Sequence, residues 1–129
     1  MLGALYFAQG VPGGFVGIGY VILLTDHGLN NQQIGAAMGI SAAPWAFKIF
    51  FGLFLDRVAS TRFGRRRPFI ILAQFGMGAT LLLLLLVDPK RELHLVSLVL
   101  LSCSAFAAFQ DVAVDGLAVD LLGRRRWAP

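Results

Sequence analysis

The amino-acid sequence predicts an all-α integral membrane protein with four transmembrane helices, and three observations carry that expectation. The chain is 57% hydrophobic and only 14% charged, with a mean hydropathy of +0.75. A soluble domain of 129 residues would need more polar side chains than this to cover its surface. The apolar residues gather in four stretches, each long enough for a hydrocarbon core of about 30 Å, which takes about 20 residues of helix. The charges gather between them: five arginines stand among the twelve residues from Asp56 to Arg67.

The first span is expected at about residues 2–25. Gly3, Gly10, Gly13, Gly14, Gly17 and Gly19 surround Pro12 there. Small residues let helix backbones approach closely, and Pro and Gly loosen a helix at mid-depth. The stretch is therefore either a tight packing surface or a bend point in a helix that rocks. The turn-rich link from Asp26 to Asn31 leads to a second span at about 33–55.

In that second span, Pro44 should weaken the helical ladder near mid-membrane. Lys48, one turn later, is the only cation inside a span. It lies roughly 10 Å from the span's end at Leu55, where a lysine costs up to about 3 kcal/mol unless it snorkels or finds a partner. Two readings stand: snorkelling to the interface, or facing a water-filled path beside an acid or an anionic solute.

A third span is expected at 68–87, with Pro68 in the first turn, where its missing N–H costs nothing. The link from Asp88 to Glu92 then leads to a fourth span at about 93–122. As a helix that stretch is about 45 Å long, more than the hydrocarbon core requires. Asp111 should lie near the inner edge of the core, with Asp115 and Asp120 at or beyond it. Asp111 and Asp115 are four apart and share one helix face. Either these carboxylates pair with arginines of the same membrane face, or Asp111 or Asp115 is a protonation or gating site.

Orientation follows from the basic residues, which the cytoplasmic side retains. Arg57, Arg62, Arg65, Arg66 and Arg67 share one side with Arg124, Arg125 and Arg126, while the other has only Lys90 and Arg91. Eight against two places both termini and the Asp56–Arg67 loop in the cytoplasm.

The net charge of +4 brings no nucleic-acid motif with it, so no nucleic-acid partner is expected. Cys103 is a lone small apolar residue, and no secretory leader is legible. Two histidines and one cysteine have no ligand spacing, so no metal and no cofactor are expected. No serine stands in a nucleophile elbow, and the chain is not expected to be an enzyme.

The loop that holds the arginines resembles the signature between the second and third helices of the major facilitator superfamily. Gly52-Leu53-Phe54-Leu55-Asp56-Arg57 is followed by Gly64-Arg65-Arg66-Arg67, with Val58 to Phe63 inserted between the two halves. Three more stretches narrow the resemblance to the muropeptide permease and acetyl-coenzyme A transporter branch. They are Tyr6 to Pro12, Pro44 to Lys48, and Gln110-Asp111-Val112-Ala113-Val114-Asp115-Gly116.

That resemblance implies the N-terminal portion of a twelve-helix secondary transporter, with eight further helices, the lipid bilayer, a small-molecule solute and protons as its partners. It implies a proton-coupled permease, a symporter for a bulky anionic solute such as a muropeptide, in a bacterial inner membrane. The acetyl-coenzyme A carrier is the alternative within the branch; outside it stands a self-contained four-helix exporter or scaffold. Carried over, the gating role falls on Asp56, Arg57, Gly64, Arg65 and Arg66. Gln9, Lys48, Gln110, Asp111 and Asp115 are the candidates for the solute or proton path.

Overall fold

The computed structural model describes residues 2–58 and 66–126, and all regular structure among them is helical. The first span begins as α1 (Leu2–Gly14), widens into a π-helical turn over Phe15–Gly19, and continues as α2 (Tyr20–Asp26). The Tyr20 N–H bonds the Phe15 carbonyl, the i→i+5 link that defines such a turn. A wide turn of this kind is one of the few identifiable causes of irregularity in a helix, and it sits within the glycine-rich stretch.

The link after α2 is closed by chain-reversal chemistry. Gly28 takes φ +80°, a left-handed conformation that suits glycine just past a helix end, and its N–H bonds the Thr25 carbonyl at 2.9 Å. The next helix, α3 (Asn31–Ala46), starts two residues before the expected boundary because of a capping box. The Asn30 carboxamide accepts from the Gln33 N–H at 2.8 Å, and the Gln33 side chain accepts from the Asn30 N–H at 3.2 Å.

The expected second span at 33–55 is not one helix. It is α3 followed by α4 (Lys48–Val58), bent by 41° at a break on Phe47. Pro44 lies inside α3, where it has no N–H to offer the Ile40 carbonyl, and the break falls three residues later, where the Phe47 N–H bonds the Pro44 carbonyl at 3.1 Å in a tighter i→i+3 turn. Phe47 leaves helical geometry at φ −91° and ψ 9°, and α4 restarts with the Phe50 N–H on the Phe47 carbonyl at 3.0 Å. Lys48 is therefore the first residue of a new helix.

The remaining helices form a long antiparallel hairpin, α5 (Arg67–Leu86) and α6 (Leu93–Arg126). Pro68 does sit in the first turn of α5. Three helical stretches (Gly3–Asp26, Arg67–Leu86 and Leu93–Gly123) are long and apolar enough to cross a membrane, and the bent pair passes the same test together.

α6 is the hub of the bundle: α5 and α3 pack along it, and α1 and α4 touch it. Two apolar clusters lie along its length. Tyr20, Leu24, Ile34, Ala37, Leu84, Val96 and Leu100 fill the end that carries the Gly28 turn. Leu55, Ile70, Ala113, Val114 and Leu117 fill the opposite end. The polar residues of interest lie between and just beyond these clusters. Outside, Phe7, Ile49, Phe75, Leu85 and Leu86 are at least 75% exposed, a surface suited to lipid or further protein rather than water.

Candidate functional site

Two charged clusters connect helices that are distant in sequence. The first joins α1, the α3–α4 break and α6. The Tyr6 hydroxyl donates to Asp115 Oδ1 at 2.6 Å, and Gln9 Nε2 donates to Asp111 Oδ1 at 3.1 Å. These pairs follow from geometry. Tyr6 and Gln9 are three apart and Asp115 and Asp111 four apart, each pair on one face, and the helices run antiparallel so the order reverses.

Lys48 completes this cluster. Its ammonium forms an ion pair with Asp111 and lies 3.6 Å from Asp115 Oδ2. The Lys48 side chain is 37% exposed and that of Asp111 only 16%, so the bridge is partly shielded even within these helices. Trp45 flanks the cation, its ring centroid 5.8 Å from Lys48 Nζ, within reach of a cation–π attraction. Trp45 is itself tied to α6, because its indole N–H donates to Ser104 Oγ at 3.0 Å.

The break at Phe47 makes this arrangement possible. It delivers Lys48 at a helix start, pointing at α6 from a helix whose upper half packs along the same partner. With both acids ionised, one lysine faces two carboxylates, and the cluster carries a net charge of −1.

Gln110, expected on the same path, lies elsewhere. It is fully buried, and neither its Nε2 nor its Oε1 finds a hydrogen-bond partner among the described residues. The step from residue 110 to 111 turns the side chain by about 100° on the helix, which takes Gln110 off the face that holds Lys48. Gln9 Oε1 and Gln74 Oε1 are likewise buried without partners. Buried amide atoms left unpaired are costly.

The second cluster stands at the end of the bundle where α4 stops and α5 begins. Arg66 Nη2 donates to Asp56 Oδ1 at 2.6 Å, and Arg66 Nε lies 3.4 Å from Asp120 Oδ2 without hydrogen-bond alignment. One guanidinium thus ties the end of α4 to α6. The Arg66 side chain is 13% exposed while Asp56 is 62% exposed, so the cation is the sheltered member.

Of the arginines expected around Asp56, only Arg66 takes that place among the described residues. Arg57 follows Asp56 on α4, is exposed, and makes no ion pair among the described residues, since the next helical position points about 100° away. Gly64 and Arg65 lie outside the described residues.

Sequence reasoning did not single out Tyr6, Trp45 or Ser104 as partners in the first cluster, and it left Asp120 outside the gate. Tyr6 had a legible signal, a polar tip one turn before Gln9 in an otherwise apolar span. Ser104 had none, because a lone serine in an apolar helix ordinarily bonds its own backbone, as Ser97 and Ser102 do here.

Comparison with known proteins places this chain in a family. The model of the BT1 family matches residues 9–128. A folate-biopterin transporter of Synechocystis is 33% identical over 126 residues, covering 97% of this chain and 25% of that protein. An uncharacterized protein of Haemophilus influenzae is 32% identical over 101 residues, covering 78% of this chain and 24% of that protein. An uncharacterized membrane protein of Saccharomyces cerevisiae is 31% identical over 144 residues, with 93% and 25% covered. The chain therefore spans about a quarter of the length of the curated relatives it matches. No solved structure matches it. With all but its first eight and last residues inside the matched segment, this membrane-embedded chain belongs to the BT1 family.

Proposed function

We propose that the chain forms the first four spans of a secondary transporter for a bulky organic anion, driven by protons that enter with the solute. The observation that carries this reading is the Lys48–Asp111–Asp115 cluster, a single cation held by two acids on the partly open face where α1, α4 and α6 meet. At a net charge of −1 the cluster repels an anion. Protonating Asp111 and Asp115 frees Lys48 to receive one, so proton and anion binding reinforce each other. Tyr6 and Gln9, bonded to the same carboxylates, tie the motion of α1 to their protonation state.

The Asp56–Arg66–Asp120 cluster serves as the closing clamp at the opposite end of α4. The excess of arginines on that side supports a cytoplasmic location for it and for both termini of the segment, and the resemblance supports a bacterial inner membrane. The remaining helices of the full-length protein supply the other wall of the solute path, as alternating access requires.

Two solute classes have support. The motif resemblance favours a muropeptide, with acetyl-coenzyme A as its alternative. The 33% identity to a folate-biopterin transporter favours a pteridine such as folate, which is also a bulky anion. Neither a muropeptide permease nor an acetyl-coenzyme A carrier stands among the relatives above.

The test is uptake of folate, a muropeptide and acetyl-coenzyme A by the full-length protein in proteoliposomes, across a pH gradient of either sign. Uptake of one of them that rises when the outside is acidic, and that loses its pH dependence in Asp111→Asn, is the expected result. An unchanged pH profile in that variant removes Asp111 as the coupling acid.

A further inference from the structure

We infer that Gly116 is the positioning residue of the Arg66 clamp, the seat that lets the guanidinium cross α6 and bridge Asp56 to Asp120. The inference rests on the clamp reading above and adds the residue that sets its geometry. A Cβ built on Gly116 would collide with the Arg66 guanidinium, overlapping Nη1 and Cζ and lying 2.8 Å from Nε. These three atoms are its nearest neighbours, and all belong to one flexible side chain. No backbone or apolar side chain stands closer.

That pattern separates Gly116 from glycines that serve packing. At Gly76 the obstacle is the Phe106 ring, at 2.6 Å, a rigid group wedged between α5 and α6. At Gly123, also on α6, nothing lies within 4 Å of an added Cβ. At Gly116 the helix itself accepts a methyl group, and what has to leave is Arg66. The guanidinium that reaches both Asp56 and Asp120 lies against α6 at this bare position, which stands one turn before Asp120. The group that must move is the far end of a flexible side chain, so a methyl group here changes where the guanidinium sits against Asp56 and Asp120 rather than the helix.

The consequence is a division of labour. Asp56, Arg66 and Asp120 supply the charges, while Gly116 supplies the clearance. Gly116→Ala is expected to leave the fold in place and unseat the clamp.

The experiment uses the full-length protein, otherwise free of cysteine, with Ala107→Cys as a reporter one turn from Asp111. A membrane-impermeant maleimide is added from the side that carries Arg66, so the labelling rate reads how open that side is without any solute. Arg66→Ala and Gly116→Ala are each expected to raise the rate at least fivefold, and the double variant is expected to match Arg66→Ala alone. If Gly116→Ala raises the rate further in the Arg66→Ala background, the glycine acts by some other route and the inference fails. A wild-type rate for Gly116→Ala beside a raised rate for Arg66→Ala also overturns it, and leaves the clamp standing. A wild-type rate for Arg66→Ala removes the clamp and the seat together.

Should Gly116→Ala fail to reach the membrane, the double variant decides. Normal insertion once Arg66 is gone supports the seat; continued failure refutes it.

Discussion

Neutralising both ends of the Lys48–Asp111 bridge should cost less than the sum of neutralising each. In Asp111→Asn, Lys48 keeps only Asp115, at 3.6 Å, and loses a charge-assisted hydrogen bond on a side chain that is 16% exposed. Such bonds contribute about 1.5–3 kcal/mol. Because Lys48 is 37% exposed, solvent screening puts the expected loss toward the lower half of that range, at about 2 kcal/mol. Lys48→Met alone leaves two carboxylates facing each other without a cation and should cost about the same. In the double variant the Lys48–Asp111 contact is lost once rather than twice, while Asp115 keeps the Tyr6 hydrogen bond but no cation, so the loss should be about 2–3 kcal/mol against a sum of about 4, a coupling energy of about 1–2 kcal/mol. The assay is SDS-induced unfolding of the full-length protein in mixed micelles, followed by circular dichroism. Additive losses, with a coupling energy near zero, would refute the bridge as a stabilising contact between α4 and α6.

Three further outcomes test other parts of the structure. Asp56→Asn should insert and fold normally, since Asp56 is 62% exposed, yet lose most transport; wild-type uptake would dismiss its gating role. Asn30→Ala removes the capping box of α3 and should lower stability by about 1 kcal/mol, read by the same unfolding titration, while Asn30→Asp should preserve it. Gly76→Leu forces a side chain into the Phe106 ring and should destabilise by about 1–3 kcal/mol, whereas Gly78→Ala, which meets nothing within 4 Å, should stay near neutral.

Much of the architecture was legible because a bilayer imposes simple demands. Long apolar runs and clustered charge identify spans without knowledge of packing, and Pro44 announced the weak point of the second span. What remained hidden was how the weakness resolves. A proline can bend a helix or end it, and only the surrounding contacts decide; here the chain ends α3 at Ala46 and begins again at Lys48. The pairing of Lys48 with Asp111 was one of two open readings, since snorkelling and pairing depend on whether α6 presents an acid at that depth. Arg66 was legible only as one of several basic residues near Asp56. Nothing in the loop composition distinguished it from Arg57, because the difference comes from the helix start at Arg67 and from the bare surface at Gly116. The capping box of Asn30 and Gln33 was missed although its spacing carries the signal, and the expected start of the second span fell two residues late.

The wide turn at Phe15–Gly19 gives the first span an adjustable phase. A turn bonded i→i+5 takes up roughly one residue more than an α-helical turn. The segment beyond it is thereby rotated by an angle on the order of 100° against the segment before it. Tyr6 and Gln9 can therefore face the carboxylates of α6 while Tyr20 and Leu24 face the apolar cluster at the other end. If each N–H in turn trades its acceptor five residues back for the one four back, the wide turn moves along the chain. Residues crossed by it then swing about the helix axis with little change in the tilt of the span. Added methyl groups at Gly10, Gly13, Gly14 and Gly17 would meet nothing within 4 Å, whereas Pro12 among them is buried and has no N–H to trade. Such a migration would turn the residues it crosses about the helix axis, and the two hydrogen bonds from Tyr6 and Gln9 to α6 are the contacts that would hold the far end in place.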